Sequence, residues 1–236
     1  MNFLTICGEL HAETSDTGSF PATVVGVTGQ HARTVRWAKN AWREIQNRHA
    51  NWLWLRSTFT LNTTASDDTY AYGDATDSRL TGDITRFSRW WLEDNEGFPN
   101  VKCYLTSGGV SGEKYLSPLS WPAFRDLYKR GTQTDNVPVH VSVDPQRNLV
   151  LGPKPDAIYT ITGEYQMGAQ VLTLDADTPE MPEDYHQLIV YYAMKKYAGN
   201  RSAPDVMIRA ITEGNAVMRQ LENNQRPECG VAGPLV

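Results

Sequence analysis

The residues whose types suit chemistry are thinly spread in this chain. Its five histidines are His11, His31, His49, His140 and His186, and none forms a His-x-x-x-His or His-x-Cys pair. A metal site would therefore have to be assembled from distant residues. Cys103 and His140 both fall on expected strands, which would allow a thiol nucleophile and its base. Cys103, however, alternates with Val101 and Leu105 on an apolar face, while His140 lies on the polar face of its own strand, so a dyad is not expected. The segment Ser107-Gly108-Gly109-Val110-Ser111-Gly112 lacks the Lys-Ser/Thr ending of a phosphate loop and reads as a turn. Asp175, Asp177 and Glu180 have the oxygen ligands that calcium favours. Thr178-Pro179 replaces the glycine turn of an EF-hand loop, so a turn before a helix is expected instead. No carboxylate pair with the spacing of a glycosidase is identifiable. The expectation is no catalytic residue, no metal and no cofactor.

Two features suit binding. The seven tryptophans, Trp37, Trp42, Trp52, Trp54, Trp90, Trp91 and Trp121, suit a ligand platform, an interface or an aromatic core. Arg33, Arg36, Lys39 and Arg43 share one arc of a helix and suit an acidic neighbour or phosphates. These four are candidate partner-interface residues.

The elements that must position these residues change period along the chain. Phe3, Ile6 and Leu10 predict a helix over Asn2–Glu13. Val35, Ala38, Trp42 and Ile45 predict a second over Gln30–His49. The period then falls to 2: Ser57, Phe59 and Leu61 alternate, as do Val101, Cys103 and Leu105. Residues 62–81 are acidic and polar, an expected exposed loop or long hairpin tip. Residues 85–91 are ambiguous between helix and strand. Residues 121–130 predict a short helix. Val137, Val139, Val141 and Val143 alternate as one strand; 149–151 and 157–166 follow, and the three predict an antiparallel meander. Pro182-Glu183-Asp184 marks a helix start and Gly199 its stop. Ser202-Ala203-Pro204-Asp205 resembles a capping box for a last helix carried by Met207, Ala210, Ile211, Gly214, Met218 and Leu221. Gly214 on the apolar side predicts close helix–helix approach. The fold class expected is α+β: a helical bundle built from both chain ends (1–50 and 178–224) with an inserted antiparallel β module (51–177) and an extended tail (225–236).

Composition is that of a globular chain, 40% hydrophobic and 21% charged over 236 residues. The net charge of −5 disfavours a free nucleic-acid binder. No apolar run is long enough for a membrane span, the N-terminal segment does not read as a signal peptide, and three distant cysteines suit a reducing cytoplasm.

Three ordered patterns carry a family resemblance. They are Ala41-Trp42-Arg43-Glu44-Ile45-Gln46-Asn47 leading to Trp52-Leu53-Trp54-Leu55-Arg56, the run Leu119-Ser120-Trp121-Pro122-Ala123-Phe124-Arg125 before a valine-rich stretch through Pro153-Lys154-Pro155, and Met181-Pro182-Glu183-Asp184-Tyr185-His186 before two helices. Over nearly the whole chain this resembles the head-to-tail connector (adaptor) proteins of tailed bacteriophages. The resemblance implies a structural protein of the virion neck, made in the host cytoplasm. Its implied partners are the portal, tail or nozzle proteins and further copies of itself, about twelve in a ring. Genomic DNA would pass through the ring without sequence-specific binding. At −5 per subunit such a ring carries about −60, which repels phosphates.

The tail is an expected docking segment, with Arg226, Pro227, Val231, Leu235 and Val236 as further candidate interface residues. Pro227 blocks helix continuation, and the apolar residues would anchor it. The alternative reading is a carbohydrate- or receptor-binding module using exposed tryptophans of the β part.

Overall fold

The stripe Val35, Ala38, Trp42 and Ile45 is the buried side of helix α2 (Gly29–Arg48). The structure, a computed structural model, describes residues 1–14, 18–80 and 82–225. It is mixed α+β and divides into two compact units, one from Met1–Trp54 with Ala169–Val236 and the other from Leu55–Gly168.

In the first unit, α1 (Phe3–Thr14), α2, α4 (Gln187–Arg201) and α5 (Pro204–Asn224) carry the helices. Helix α4 touches α1, α2 and α5. Having neighbours on three sides, it buries Leu188, Ile189, Val190, Tyr192, Ala193, Met194 and Ala198, more than one amphipathic stripe. Gly214 of α5 faces Tyr191 of α4: a Cβ there would lie 3.3 Å from the tyrosine Cβ. The expected close approach is present.

The helix ends depart from the sequence reading. Pro182 is extended (ψ 138°), and residues 183–185 make only a 3-10 turn before α4 begins. The helix runs through Gly199 to Arg201. It stops at Ser202, which takes a left-handed conformation (φ 53°) while its N–H and that of Ala203 cap the Ala198 carbonyl. No capping box forms at α5: its N-cap is Ala203, without a side-chain bond, and Pro204 occupies the first turn, where a missing N–H costs nothing.

The second unit holds two sheets and α3 (Trp121–Tyr128). The strands, in chain order, are β1 (Arg56–Asn62), β2 (Thr69–Tyr70), β3 (Thr76–Asp77), β4 (Gly82–Asp83), β5 (Arg89–Trp91), β6 (Lys102–Leu105), β7 (Lys114–Tyr115), β8 (Ser117–Pro118), β9 (His140–Val143), β10 (Leu149–Gly152) and β11 (Tyr159–Gln166). The larger sheet runs β4-β3-β1-β11-β6-β7. Its centre is β11, which pairs along its length with β1. On its other edge it pairs first with β6, over Tyr159–Thr162, and then with β5, over Glu164–Gln166. The smaller sheet runs β2-β10-β9-β8, antiparallel except for β8 beside β9.

The expected three-stranded meander is therefore wrong. β9 and β10 do form a hairpin, but β11 crosses to the other sheet. The valine run is also shorter than it reads. Val141 is buried within β9, whereas Val137 and Val139 precede the strand and are exposed. The ambiguous 85–91 segment ends in β5.

The acidic stretch 62–81 is not the exposed loop its composition predicts. It contains β2 and β3 and buries Tyr70, Ala75, Asp68 and Asp77. Both acids have partners far away in sequence as well as local ones. Lys129 Nζ lies 2.8 Å from each Asp68 oxygen, and Asp77 accepts hydrogen bonds from Ser57, Tyr165 and the Arg79 N–H. A buried carboxylate is tolerable only with such partners.

Candidate interface surfaces

Helix α2 presents Arg33, Arg36 and Arg43 to solvent. Lys39, the fourth member of the expected arc, is half-buried and differs. Its ammonium lies 5.6 Å from the Phe3 ring centroid, and its charge bears on Asp177, so it serves the packing of α1 on α2. Arg33, Arg36 and Arg43 are the exposed members of the arc, and Lys39 is its half-buried one. Arg226, Pro227, Val231, Leu235 and Val236 lie outside the described residues.

Sequence reasoning missed Arg48. At the end of α2 it reaches Glu222 of α5 at 2.9 Å, beside His49 at the same distance from that oxygen. The His49 and Arg48 hydrogen bonds hold the Glu222 carboxyl below its ordinary range. The signal was a basic residue in a last helical turn, but its partner lies 174 residues on.

The tryptophans are mostly interior. Trp37, Trp42, Trp52, Trp54 and Trp90 are buried, Trp52 and Trp54 stacking with centroids 4.1 Å apart. Only Trp91 and Trp121 are partly open among the seven. Trp91 belongs to a cluster that the sequence did not reveal: the guanidiniums of Arg56 and Arg89 lie 4.2 and 4.3 Å from its ring centroid.

The nucleophile candidates are quiet. Burial pushes the Cys7 thiol up to about 12 and the Cys103 thiol up to about 11. Neither is a thiolate near neutrality. His140 Nδ1 shares a 2.6 Å hydrogen bond with the Tyr128 hydroxyl, not with the Cys103 thiol. Asp177 is occupied by its own turn, where the N–H groups of Leu174 and then Thr173 hold its carboxyl below the usual range. Asp175 accepts from the Val24 N–H at 2.6 Å. Among the described residues no cluster of three or more His, Cys, Asp or Glu has metal-binding geometry. No helix among them is long and apolar enough to cross a membrane.

The remaining surface is rich in exposed apolar side chains. In the second unit, Leu105, Val110, Val137, Val139 and Ile158 are exposed. Leu105 and Val137 border a cavity of about 380 Å³ that Cys103, Lys114 and Tyr159 also line. In the first, Ile208 and Ile211 of α5 are 64% and 42% exposed. Depressions, exposed arginines without an ion pair among the described residues and exposed aliphatic side chains are features that surfaces of the protein-binding class can use.

The comparison with protein families agrees with that class. A family model described as SU10 adaptor protein matches residues 1–230, and the chain belongs to this family. It is a phage adaptor, a structural component of the virion. Comparison with curated proteins gives no match.

Proposed function

We propose that this chain is a head-to-tail adaptor that forms a ring between the portal and the tail or nozzle proteins and extends the channel through which DNA passes. The match to the adaptor family over residues 1–230 carries the reading. In this account the helices from both ends of the chain form the bundle, with the β-rich unit as its inserted module and residues 225–236 as a docking tail. About twelve copies close the ring, matching a cyclic partner. Arg33, Arg36, Lys39 and Arg43 contact acidic neighbours. Arg226, Pro227, Val231, Leu235 and Val236 supply the tail's contacts. The role is architectural, with no catalytic step, no metal and no cofactor. The subunit's net charge of −5 favours a channel that does not hold DNA.

The carbohydrate- or receptor-binding alternative relied on exposed tryptophans in the β module. Trp90 is buried there, and only Trp91 and Trp121 offer part of a ring. Light scattering after mixing with purified portal, alongside a glycan-binding screen, separates the two readings. An adaptor shifts into a large complex with portal and ignores glycans. A sugar-binding module stays small and retains glycans.

A further inference from the structure

Arg56 and Arg89 are brought together by strand register. Both pair with Gln166, Arg56 from β1 and Arg89 from β5, on opposite edges of β11. Directly paired residues project from the same side of a sheet, so the two guanidiniums share one face. Trp91, two residues beyond Arg89, projects from that face of the sheet, and its ring centroid lies 4.2 Å from the Arg56 guanidinium and 4.3 Å from that of Arg89. One carboxylate answers them: Glu164 Oε2 is 3.7 Å from Arg56. Among the described residues Arg89 has no ion-pair partner. Burial, and then the neighbouring Arg56 charge, hold its guanidinium below its ordinary value. Arg56 Nε and Trp91 Nε1 are shielded from solvent without an acceptor among the described residues.

The cluster thus sets two guanidiniums and an indole N–H against one carboxylate, Glu164, which meets Arg56 only at 3.7 Å. A surplus of donors is balanced by a further anionic acceptor, and a carboxylate suits two guanidiniums because it accepts paired N–H bonds on both oxygens. Beside the cluster lies an open depression of about 600 Å³, with Arg89, Trp90 and Trp91 in its lining together with Leu92, Pro118, Leu119 and Val143.

We propose that this depression docks an extended segment of a partner protein in which a carboxylate side chain adjoins an apolar one. The carboxylate bridges Arg56 and Arg89, and the apolar side chain packs on Leu92, Leu119 and Val143. Glu93 and Asp94 also line the depression and repel the unbroken run of charge on a phosphate backbone more than a single carboxylate, which favours a peptide over DNA. Arginine and tryptophan at the centre of a patch are typical anchors of protein interfaces. The proposal rests on the adaptor reading only in requiring a protein partner.

The test uses the full chain labelled with nitrogen-15, following the Trp91 indole N–H, assigned with Trp91→Phe. The probes are the capped peptide Gly-Leu-Glu-Leu-Gly, the same peptide with Gln for Glu, and a ten-residue oligothymidylate. The glutamate peptide should give a saturable shift at millimolar concentration or below. The glutamine peptide should bind about tenfold more weakly, the change expected for losing one charge-assisted hydrogen bond. Arg89→Gln, and Arg89→Lys, which keeps charge but loses the fork, should each weaken binding by about tenfold; Arg130→Gln should not. No shift through several millimolar, an equal response to the glutamine peptide, or tighter binding of the oligonucleotide at this indole would overturn the proposal. A chain that joins portal but ignores the peptide refutes this site alone. One that binds the peptide but never joins portal refutes the adaptor reading alone.

Discussion

The phenol of Tyr165 on β11 donates a 2.6 Å hydrogen bond to the carboxylate of Asp77 on β3. The two strands are not neighbours: β1 lies between them, and its Ser57 donates to the other Asp77 oxygen at 2.7 Å. One buried carboxylate therefore ties three successive strands of the larger sheet. Burial alone would raise the Asp77 pKa, but the bonds from Tyr165, Ser57 and the backbone N–H groups of Arg79 and Leu80 outweigh it and leave the group below its ordinary value.

Tyr165→Phe should cost about 1–3 kcal/mol, because it removes a bond to a buried charge that cannot rehydrate. The sign of the pH effect follows from the lowered pKa of Asp77. Its contribution is fully present above the unfolded carboxylate value of about 3.9 and is lost as pH falls below it through the folded value. Denaturant melts at pH 7 and pH 3 check both points. In Asp77→Asn the drop between these pH values should shrink.

The ion pair between Asp68 and Lys129 should respond asymmetrically. Asp68 is nearly covered, with its side chain 9% exposed against 32% for Lys129. Lys129→Met strands a buried charge and should cost about 1–3 kcal/mol. Asp68→Asn frees an ammonium that can turn to water and should cost less. Equal losses in equilibrium unfolding would contradict this ordering.

What the sequence revealed and what it hid divide along one physical line. The stripe through Val35, Ala38, Trp42 and Ile45 is local, so α2 is legible to within a residue at each end, and Gly214 announces the contact it makes with α4. The burial of Asp68 and Asp77 is not local. It depends on Lys129 and Tyr165, which no periodicity places beside them, and composition alone makes that stretch look solvated. The same holds for Arg56, Arg89 and Trp91, whose meeting requires the register of β11 with two partners at once. A helical wheel shows that Lys39 shares an arc with Arg33, Arg36 and Arg43, but not that its ammonium also lies 5.6 Å from the Phe3 ring centroid.

At Gly152 the chain has no room for a side chain. A Cβ there would sit 2.5 Å from atoms of the Tyr128 ring, and that ring is held by its hydroxyl on His140. Gly152→Ala should destabilise the β-rich unit by about 1–3 kcal/mol. Gly214→Ala meets a milder 3.3 Å contact. About 1 kcal/mol of helix propensity offsets it, so near-neutral stability is expected. Thermal melts of the two variants should rank them in that order.

Cys7 and Cys103 should resist thiol reagents in the folded protein at pH 8, where burial keeps both protonated and covered. Mass-resolved alkylation should leave both unmodified until denaturant is added. Rapid native labelling of either would show that its helix or strand opens readily.

Reversing the α2 arginines tests the interface reading at residue level. The triple variant Arg33→Glu, Arg36→Glu, Arg43→Glu should keep its melting temperature to within a few degrees, because the side chains are exposed. Its recruitment to portal should fall, and added salt should no longer weaken what recruitment remains but should raise it, because salt screens the new repulsion. Unchanged recruitment would remove these three residues from the interface.

The central claim is tested most directly by native mass spectrometry of this protein mixed with its portal ring. The account predicts one discrete complex in which about twelve copies of the chain add to the portal, in keeping with matched cyclic symmetry. A portal that keeps its own mass in the presence of excess protein, with this chain remaining a free monomer, would contradict it.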